Sequence, residues 1–518
     1  MKTVSLSSAA GKWIMVSSIL ASAMAFIDAT ALNVVLPSLQ QSLKASGADL
    51  FWILNAYLLM LASLILIGGA MGDKLGRKKI FMAGILIFIT GSAACGFANS
   101  VTLLVAFRIL QGIGGSLMIP GSLSLISSSI NEKERGKAIG TWSAFTTVVT
   151  IGGPIMGGAL ADAGLWRYIF FINVPIGIAA LLMLGLKVKE TRDEGSNKSL
   201  DFWGAGTIAL GLALLTLGFL RIPAVGLYNV QVIGSLATGV IFLAIFIAIE
   251  IKSSHPMMPL TLFANATFSG ANLLTFFLYA GLGAGMLFLS LNMVQVQGYS
   301  QLQSGLTFLP FTILMITLAR FAGGLADKYG PRLFLITGPA TAGAGLLILS
   351  FIKQTAGPSA YFTSFFPGFL VFGLGMSFTV APLTAAVMGS VSDHFSGTAS
   401  GINNAMTRIA GVFANAIFGA LAVLFFSGAL QQQINHIPLN AKDKQTIMAQ
   451  AANLGNAKVP ADISIANKPV IEKAYHSGFI AAYANIMRIS AALGFLGALM
   501  AFIFIRNKAV KTSAGSSS

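Results

Sequence analysis

The chain has 518 residues, of which 55% are hydrophobic and 9% charged, with a net charge of +16. A soluble domain carries about 25% charged residues, so this composition excludes a water-soluble globular fold. The positive charge sits mostly between apolar runs and reads as a topology signal rather than a nucleic-acid surface.

Runs of about 20 apolar residues recur without strict alternation, which predicts membrane-spanning helices and not barrel strands. Fourteen spans are expected, roughly 13–36, 50–71, 80–99, 101–126, 137–160, 167–186, 202–220, 229–250, 268–293, 304–326, 333–352, 363–388, 401–427 and 477–505. Ala21-Ser22-Ala23 has the look of a signal-peptidase site, but the apolar run continues to Leu36, so an uncleaved first helix is expected. The basic loops "KLGRKK" (74–79), "EKERGK" (132–137), "KVKETRDEGSNK" (187–198), "DKYGPR" (327–332) and "RNKAVK" (506–511) share one side. By the positive-inside rule that side is cytoplasmic, with both termini inside and the protein in the cytoplasmic (inner) membrane.

The first span contains "AFIDATALNVVLP" (25–37), with Asp28 in an otherwise apolar run. A charged residue at the bilayer centre costs about 2.5–3.5 kcal/mol on insertion scales, so Asp28 is a functional candidate. After span two comes "GAMGDKLGRKK" (69–79). Its glycines permit a tight turn, and Asp73 is expected either to cap the following helix or to accept hydrogen bonds from neighbouring helix ends.

Span four holds "LLVAFRILQGIGGS" (103–116). Arg108 and Asp28 lie at similar counts from the outer ends of their spans, roughly 10–12 Å deep at 1.5 Å per residue. Equal depth permits contact. A nearby Arg favours the ionised carboxyl and desolvation favours the protonated one, an opposition suited to a group that gains and loses a proton. Asn55 is a second candidate partner for Asp28. In span five, "TIGGPIMGGAL" (150–160) places Gly153, Pro154, Gly157 and Gly158 where proline bends the helix and glycine allows close backbone approach. Span six opens with "WRYIFFINVPIG" (166–177), an aromatic and Arg167 anchor.

The segment "GGLADKYGPR" (323–332), after span ten, repeats the loop after span two. Gly69, Asp73, Lys74 and Gly76 match Gly323, Asp327, Lys328 and Gly330, with Arg77 and Arg332 in the two basic ends; Pro331 stands where the first copy is basic. A copy after span ten rather than eight predicts a 6+2+6 arrangement. The expected units are a six-helix bundle (1–200), two inserted helices (201–262), a second six-helix bundle (263–508) and a disordered tail (509–518). Within the long outer loop 428–476, "AKDKQTIMAQAANLG" (441–455) reads either as a short amphipathic helix or as solvated loop.

Polar groups inside spans usually face the protein interior. Asn33, Asn55, Gln111, Asn272, Asn292, Gln295, Asn403 and Asn404 are therefore candidates for a substrate cavity. Arg320, Arg408 and Arg488 lie in spans ten, thirteen and fourteen, with no second-half carboxylate to answer them. Arg320 and Arg408 are expected to snorkel from near the basic side, and the deeper Arg488 to reach the cavity. Such a cavity is not expected to favour dications strongly and suits neutral, zwitterionic, monocationic or anionic amphiphiles. The 38 Phe and 20 Met residues offer an adaptable apolar lining. With one cysteine (Cys95) and the scattered His255, His394, His436 and His476, neither a disulfide nor a metal site is expected.

On these motifs the chain resembles the major facilitator superfamily, and within it the fourteen-helix drug:proton antiporter group. The resemblance implies an all-α polytopic fold whose two six-helix halves rock about a midplane site. It implies that Asp28 and Arg108 couple protons. The loops with Gly69, Asp73, Gly76 and Arg77, and with Gly323, Asp327, Gly330 and Arg332, would lock the cytoplasmic side. Gly153, Pro154, Gly157 and Gly158 would form the antiporter signature, although Val149 replaces a further upstream glycine. The implied function is proton-coupled export of amphipathic organic compounds by a monomer, with protons, a small organic substrate and lipid as partners. No catalytic constellation, cofactor or nucleic-acid partner is implied, and no phosphate loop of the form GxxxxGK[ST] is present. Two alternatives stay open. One is a dedicated exporter of a single metabolite such as an anionic siderophore, which the surplus arginines favour. The other is a non-transporting receptor or channel, against which the repeated loop and the span-five signature speak.

Overall fold

The computed structural model describes residues 4–191, 201–254, 256–391, 396–461 and 463–506. The expected tail 509–518 and part of the 187–198 loop lie outside the described residues, as do the side chains of Asp73, Arg320 and Asp327.

The helices in chain order are α1 (Ala9–Leu43), α2 (Gly47–Leu75), α3 (Arg77–Phe97), α4 (Val101–Ser129), α5 (Glu132–Asp162), α6 (Tyr168–Phe171), α7 (Asn173–Lys187), α8 (Phe202–Val225) and α9 (Val230–Lys252). They continue as α10 (Ala266–Gln295), α11 (Gln301–Leu306), α12 (Leu309–Tyr329), α13 (Arg332–Leu349), α14 (Phe365–Gly389), α15 (Ser396–Asn435), α16 (Ala441–Ala449) and α17 (Lys468–Phe504). Thirteen described stretches are long and apolar enough to cross a membrane, and the apolar part of α5, Val148–Asp162, adds a shorter one. The pairs α6–α7 and α11–α12 each make one crossing and α16 makes none, so the described residues supply fourteen crossings. The start of α1 and the end of α17 therefore lie on one face, here called the terminal face, together with the described basic loops.

Local chemistry sets the turns. Ser46 and Asp49 form a reciprocal capping box at the start of α2, with Ser46 N donating to Asp49 Oδ2 at 2.8 Å. Gly76 and Gly330, which follow α2 and α12 within the two copies of the repeated loop, both have positive φ (116° and 84°), a conformation that glycine adopts without a Cβ clash. Whether Asp73 caps α3 lies outside the described residues, but the start of α3 has a distant partner. Glu190, in the segment after α7, accepts from Lys78 N at 2.9 Å and Lys79 N at 3.1 Å, while Arg77 N donates to Thr191 O at 2.8 Å. A carboxylate at the positive end of a helix is favourable whether it comes from the preceding turn or from across the bundle. In the second copy, Arg332 donates to Phe502 O at 3.1 Å and ties the start of α13 to the end of α17.

Helices α1 to α7 pack among themselves, chiefly as α1–α5, α2–α4 and α3–α4; α10 to α17 do likewise, chiefly as α10–α17, α13–α14 and α12–α14. The two sets meet along α2–α15, α1–α10 and α5–α11. The hairpin α8–α9 packs mainly on itself, but α8 also touches both α2 and α15. The loop on the opposite face is shorter than the sequence suggests, because α15 runs on to Asn435 and α17 begins at Lys468. Residues 441–449 are the helix α16, and Ile447, Leu454 and Ile463 of this loop are buried against the helix ends. An apolar anchor every few residues pins the segment by excluding water from it.

Candidate functional site: a buried ion pair beside a central cavity

Asp28 of α1 and Arg108 of α4 meet at 2.5 Å between Oδ2 and Nη1, and each is 1% exposed. Gln111, one helical turn beyond Arg108, completes the cluster. Its Nε2 donates to Asp28 Oδ1 at 3.0 Å, and its Oε1 accepts from Arg108 Nη1 at 2.9 Å. Arg108 Nε also donates to Ile53 O at 3.3 Å, and its guanidinium lies 4.4 Å from the centre of the Tyr57 ring. Helix α2 thus supplies a carbonyl and an aromatic face to the cation that α1 neutralises. Both oxygens of Asp28 and most of the guanidinium are satisfied, as a buried ion pair requires. The sequence-based contact of Asp28 and Arg108 is present. The second partner of Asp28 is Gln111, not Asn55, whose amide atoms are buried with no partner among the described residues.

The pair borders a cavity of about 620 Å³ between the two helix sets. One wall carries Asn33, Tyr57, Arg108, Thr150 and Pro154; the other carries Tyr279, Met286, Phe308, Phe311, Asn403, Asn404 and Arg408. The cavity extends along α14 and α15 to Val387, Met388 and Ser400, towards the terminal face. Of the expected lining residues, Asn33, Asn403 and Asn404 are on the wall. Asn272 stands behind it, accepting from Asn403 Nδ2 at 3.2 Å. Asn55 and Asn292 are fully buried away from the cavity.

Three expectations need larger correction. Gln295 lies at the opposite-face seam, donating to Gln40 Oε1 at 2.9 Å. Arg488 is exposed rather than internal, donating to Asn485 Oδ1 at 3.4 Å with its guanidinium 5.7 Å from the Phe351 ring. Its long apolar stem carries the charge outward, the behaviour expected of Arg320 and Arg408. Arg408 does the reverse. It lines the cavity and makes no ion pair or hydrogen bond with a described residue.

The opposite face is closed by contacts between the two sets. Asp162, at the end of α5, accepts from Gln301 N at 2.8 Å and Leu302 N at 2.9 Å at the start of α11. Gln301 also donates to Ser38 of α1, and Gln40 donates to Asn453 O at 3.2 Å. The span-five glycines make these approaches possible. A Cβ at Gly153 or Gly157 would strike Thr30 or Ala31 of α1, and one at Gly158 would strike the backbone of Gln301 and Leu302. Gly305 is reciprocal, abutting the carbonyl of Pro154. The expected gate glycines are looser: a Cβ at Gly69 meets Pro120 at 3.7 Å and one at Gly323 meets Ala381 at 3.5 Å. Sequence reading missed Asp162, Tyr57, Tyr279 and the cavity role of Arg408. An aspartate at the end of an apolar span was the available signal for the first.

A hydrophobic, all-helical chain with two packed helix sets and a polar-lined cavity between them is built as a membrane transporter. The profile of the Major Facilitator Superfamily matches residues 18–415, and the chain belongs to that family; it is a transporter and not an enzyme. It is 29% identical over 480 residues to the tetracenomycin C resistance and export protein of Streptomyces glaucescens, covering 92% of this chain and 88% of the relative. It is 31% identical over 415 residues to the multidrug resistance protein Stp of Mycobacterium tuberculosis, covering 79% and 76%. With the multidrug transporter protein MdtP of Bacillus subtilis it shares 31% over 397 residues, covering 76% and 72%. Among solved structures, a bacterial homologue of the human lysosomal transporter Spinster, inward-facing and unoccupied, superposes with a TM-score of 0.68 at 20% identity, covering 96% of this chain and 98% of that one. A D-xylose–proton symporter does so with a TM-score of 0.59 at 15% identity, covering 96% and 98%. At these identities the structural likeness speaks for the fold alone.

Proposed function

We propose that this transporter is a proton-coupled antiporter that exports amphipathic organic compounds across the cytoplasmic membrane. The observation that carries the reading is the direct contact of Asp28 with Arg108 at the cavity wall. The basic loops make the terminal face cytoplasmic by the positive-inside rule. The cavity then opens inward while the Asp162–Gln301 seam seals the outside. An apolar compound enters between the Met and Phe side chains and the amides of Asn33, Asn403 and Asn404 while Asp28 is ionised and paired. The two halves, residues 1–200 and 263–508, rock to open the outer side. There a proton reaches Asp28, the ion pair is cancelled, and the rearranged Arg108 favours release. Return of the loaded proton to the cytoplasm resets the pair. The relatives, named for resistance to and export of antibiotics, support the outward direction and the substrate class.

The experiment is dye transport in proteoliposomes with an imposed pH gradient. Substrate accumulation driven by the gradient, with opposite proton flow, is expected; transport indifferent to the gradient would refute coupling. A second reading, a dedicated exporter of one anionic metabolite, is favoured by the unneutralised Arg408 in the cavity wall. Competition between a cationic dye and a carboxylate compound separates the two. Displacement by the carboxylate compound alone, lost in Arg408→Gln, would favour the second.

A further inference from the structure

The foot of the inserted hairpin holds a pair of carboxyls that the scheme above does not use. Asp201 caps α8, with Oδ1 accepting from Gly204 N at 2.7 Å. Glu250, on the last turn of α9, is 3% exposed, and its Oε2 accepts from Met258 N at 3.0 Å. One oxygen of each, Asp201 Oδ2 and Glu250 Oε1, is buried with no donor among the described residues. The two carboxyls are themselves in hydrogen-bonding contact.

Ionised carboxylates only accept, so two of them touch favourably only when one proton lies between them. Among the described residues no compensating cation takes its place. Lys252 on α9 and Lys74 on α2 are exposed, and Arg408 on α15 lines the central cavity. Among the described residues, Asp201 is the charged group that acts on Glu250. A bound metal is disfavoured because no described third His, Cys, Asp or Glu joins the pair.

The location gives the proton a mechanical consequence. Glu250 fastens the end of α9 to the segment leading into α10. Met257 and Met258 of that segment pack with Leu59 and Ala62 of α2, Leu212 of α8 and Val412 of α15. Helix α8 thus bridges the two helix sets through Leu212, about three turns on from the first turn that Asp201 caps.

We propose that Asp201 and Glu250 form a second proton-binding site, separate from Asp28 and Arg108, which holds one proton at the terminal-face foot of the α8–α9 hairpin and sets how firmly that hairpin clasps α2 to α15. Loss of the proton puts two negative charges in contact, one of them buried, and loosens the clasp.

The test is carboxyl-band infrared spectroscopy of the full-length protein in lipid nanodiscs across a pH titration, in an Asp28→Asn background so that the ion pair contributes nothing. One protonated-carboxyl band that disappears as pH rises is expected, and it should be lost in both Asp201→Asn and Glu250→Gln. Either variant retaining the band would overturn the proposal, as would a band that yields to added sodium or magnesium instead of to pH. Spin labels on α8 and α2 supply a second readout. Their separation should widen at alkaline pH in the Asp28→Asn parent and stay constant in Glu250→Gln. A separation indifferent to pH in the parent would overturn the mechanical part. Should Glu250→Gln fail to fold, Asp201→Asn, whose amide still caps α8, carries both readouts.

Discussion

The carboxylate of Asp162 accepts the backbone N–H of Gln301 at 2.8 Å and so joins the last turn of α5 to the first turn of α11. Its other oxygen takes the N–H of Leu302. These bonds cross between helix sets that share no such backbone–carboxylate contact elsewhere among the described residues.

Removing that carboxylate should open the seam. Hydrogen bonds to a charged group are worth about 1.5–3 kcal/mol, and Asp162 is exposed, so solvent screening brings the expected loss to about 1 kcal/mol. Asp162→Ala should therefore raise the population open at the opposite face roughly five-fold. Distance measurements between labels on the opposite-face ends of α5 and α12 read this directly, and an unchanged distribution would count against the seam as a closing element.

Gly158 tests the same seam by crowding. A methyl group there would overlap the backbone of Gln301, whereas one at Gly152 meets nothing within 4 Å. Overpacking costs about 1–3 kcal/mol. Gly158→Ala is expected to disfavour the closed seam and slow transport, while Gly152→Ala leaves both near wild type. Equal effects of the two would show that helix propensity, not the approach of α11, decides.

Acid should free the N-terminal segment. Hydrogen bonds from Leu6 N at 2.9 Å and from the Ser5 hydroxyl at 3.3 Å hold the Glu134 carboxyl below its ordinary value of 4.5. A group whose folded pKa is depressed stabilises above its unfolded value and loses that contribution as pH falls through the folded one. Hydrogen exchange at Leu6 should thus be slow above about pH 4.5 and, corrected for intrinsic rate, accelerate below it. Glu134→Gln should show the faster exchange at all pH values, and a pH-independent ratio in the wild type would disprove the anchor.

Depth along a span is legible in the sequence; direction around the helix is not. The rise per residue put Asp28 and Arg108 at one level, and they touch. The same counting put Arg488 deep in its span, yet it faces outward. Spans that are apolar on every side give no stripe from which to read the buried face. For this reason Asn33 and Asn403 reach the cavity while Asn55 and Asn292 turn away from it. Spans and their count follow from hydropathy, and the repeated loop follows from its matched glycines, of which Gly76 and Gly330 have positive φ. Contacts between distant segments, such as Glu190 on the amides of α3 or Asp162 on α11, depend on how helices assemble and leave no local pattern.

The central claim is that Asp28 exchanges a proton as Arg108 changes partner. Proton release on binding a transported dye, measured in weakly buffered solution with purified protein, tests it most directly. The wild type should release protons in proportion to bound dye, and Asp28→Asn should bind dye and release none. Release from Asp28→Asn equal to that of the wild type would contradict the account.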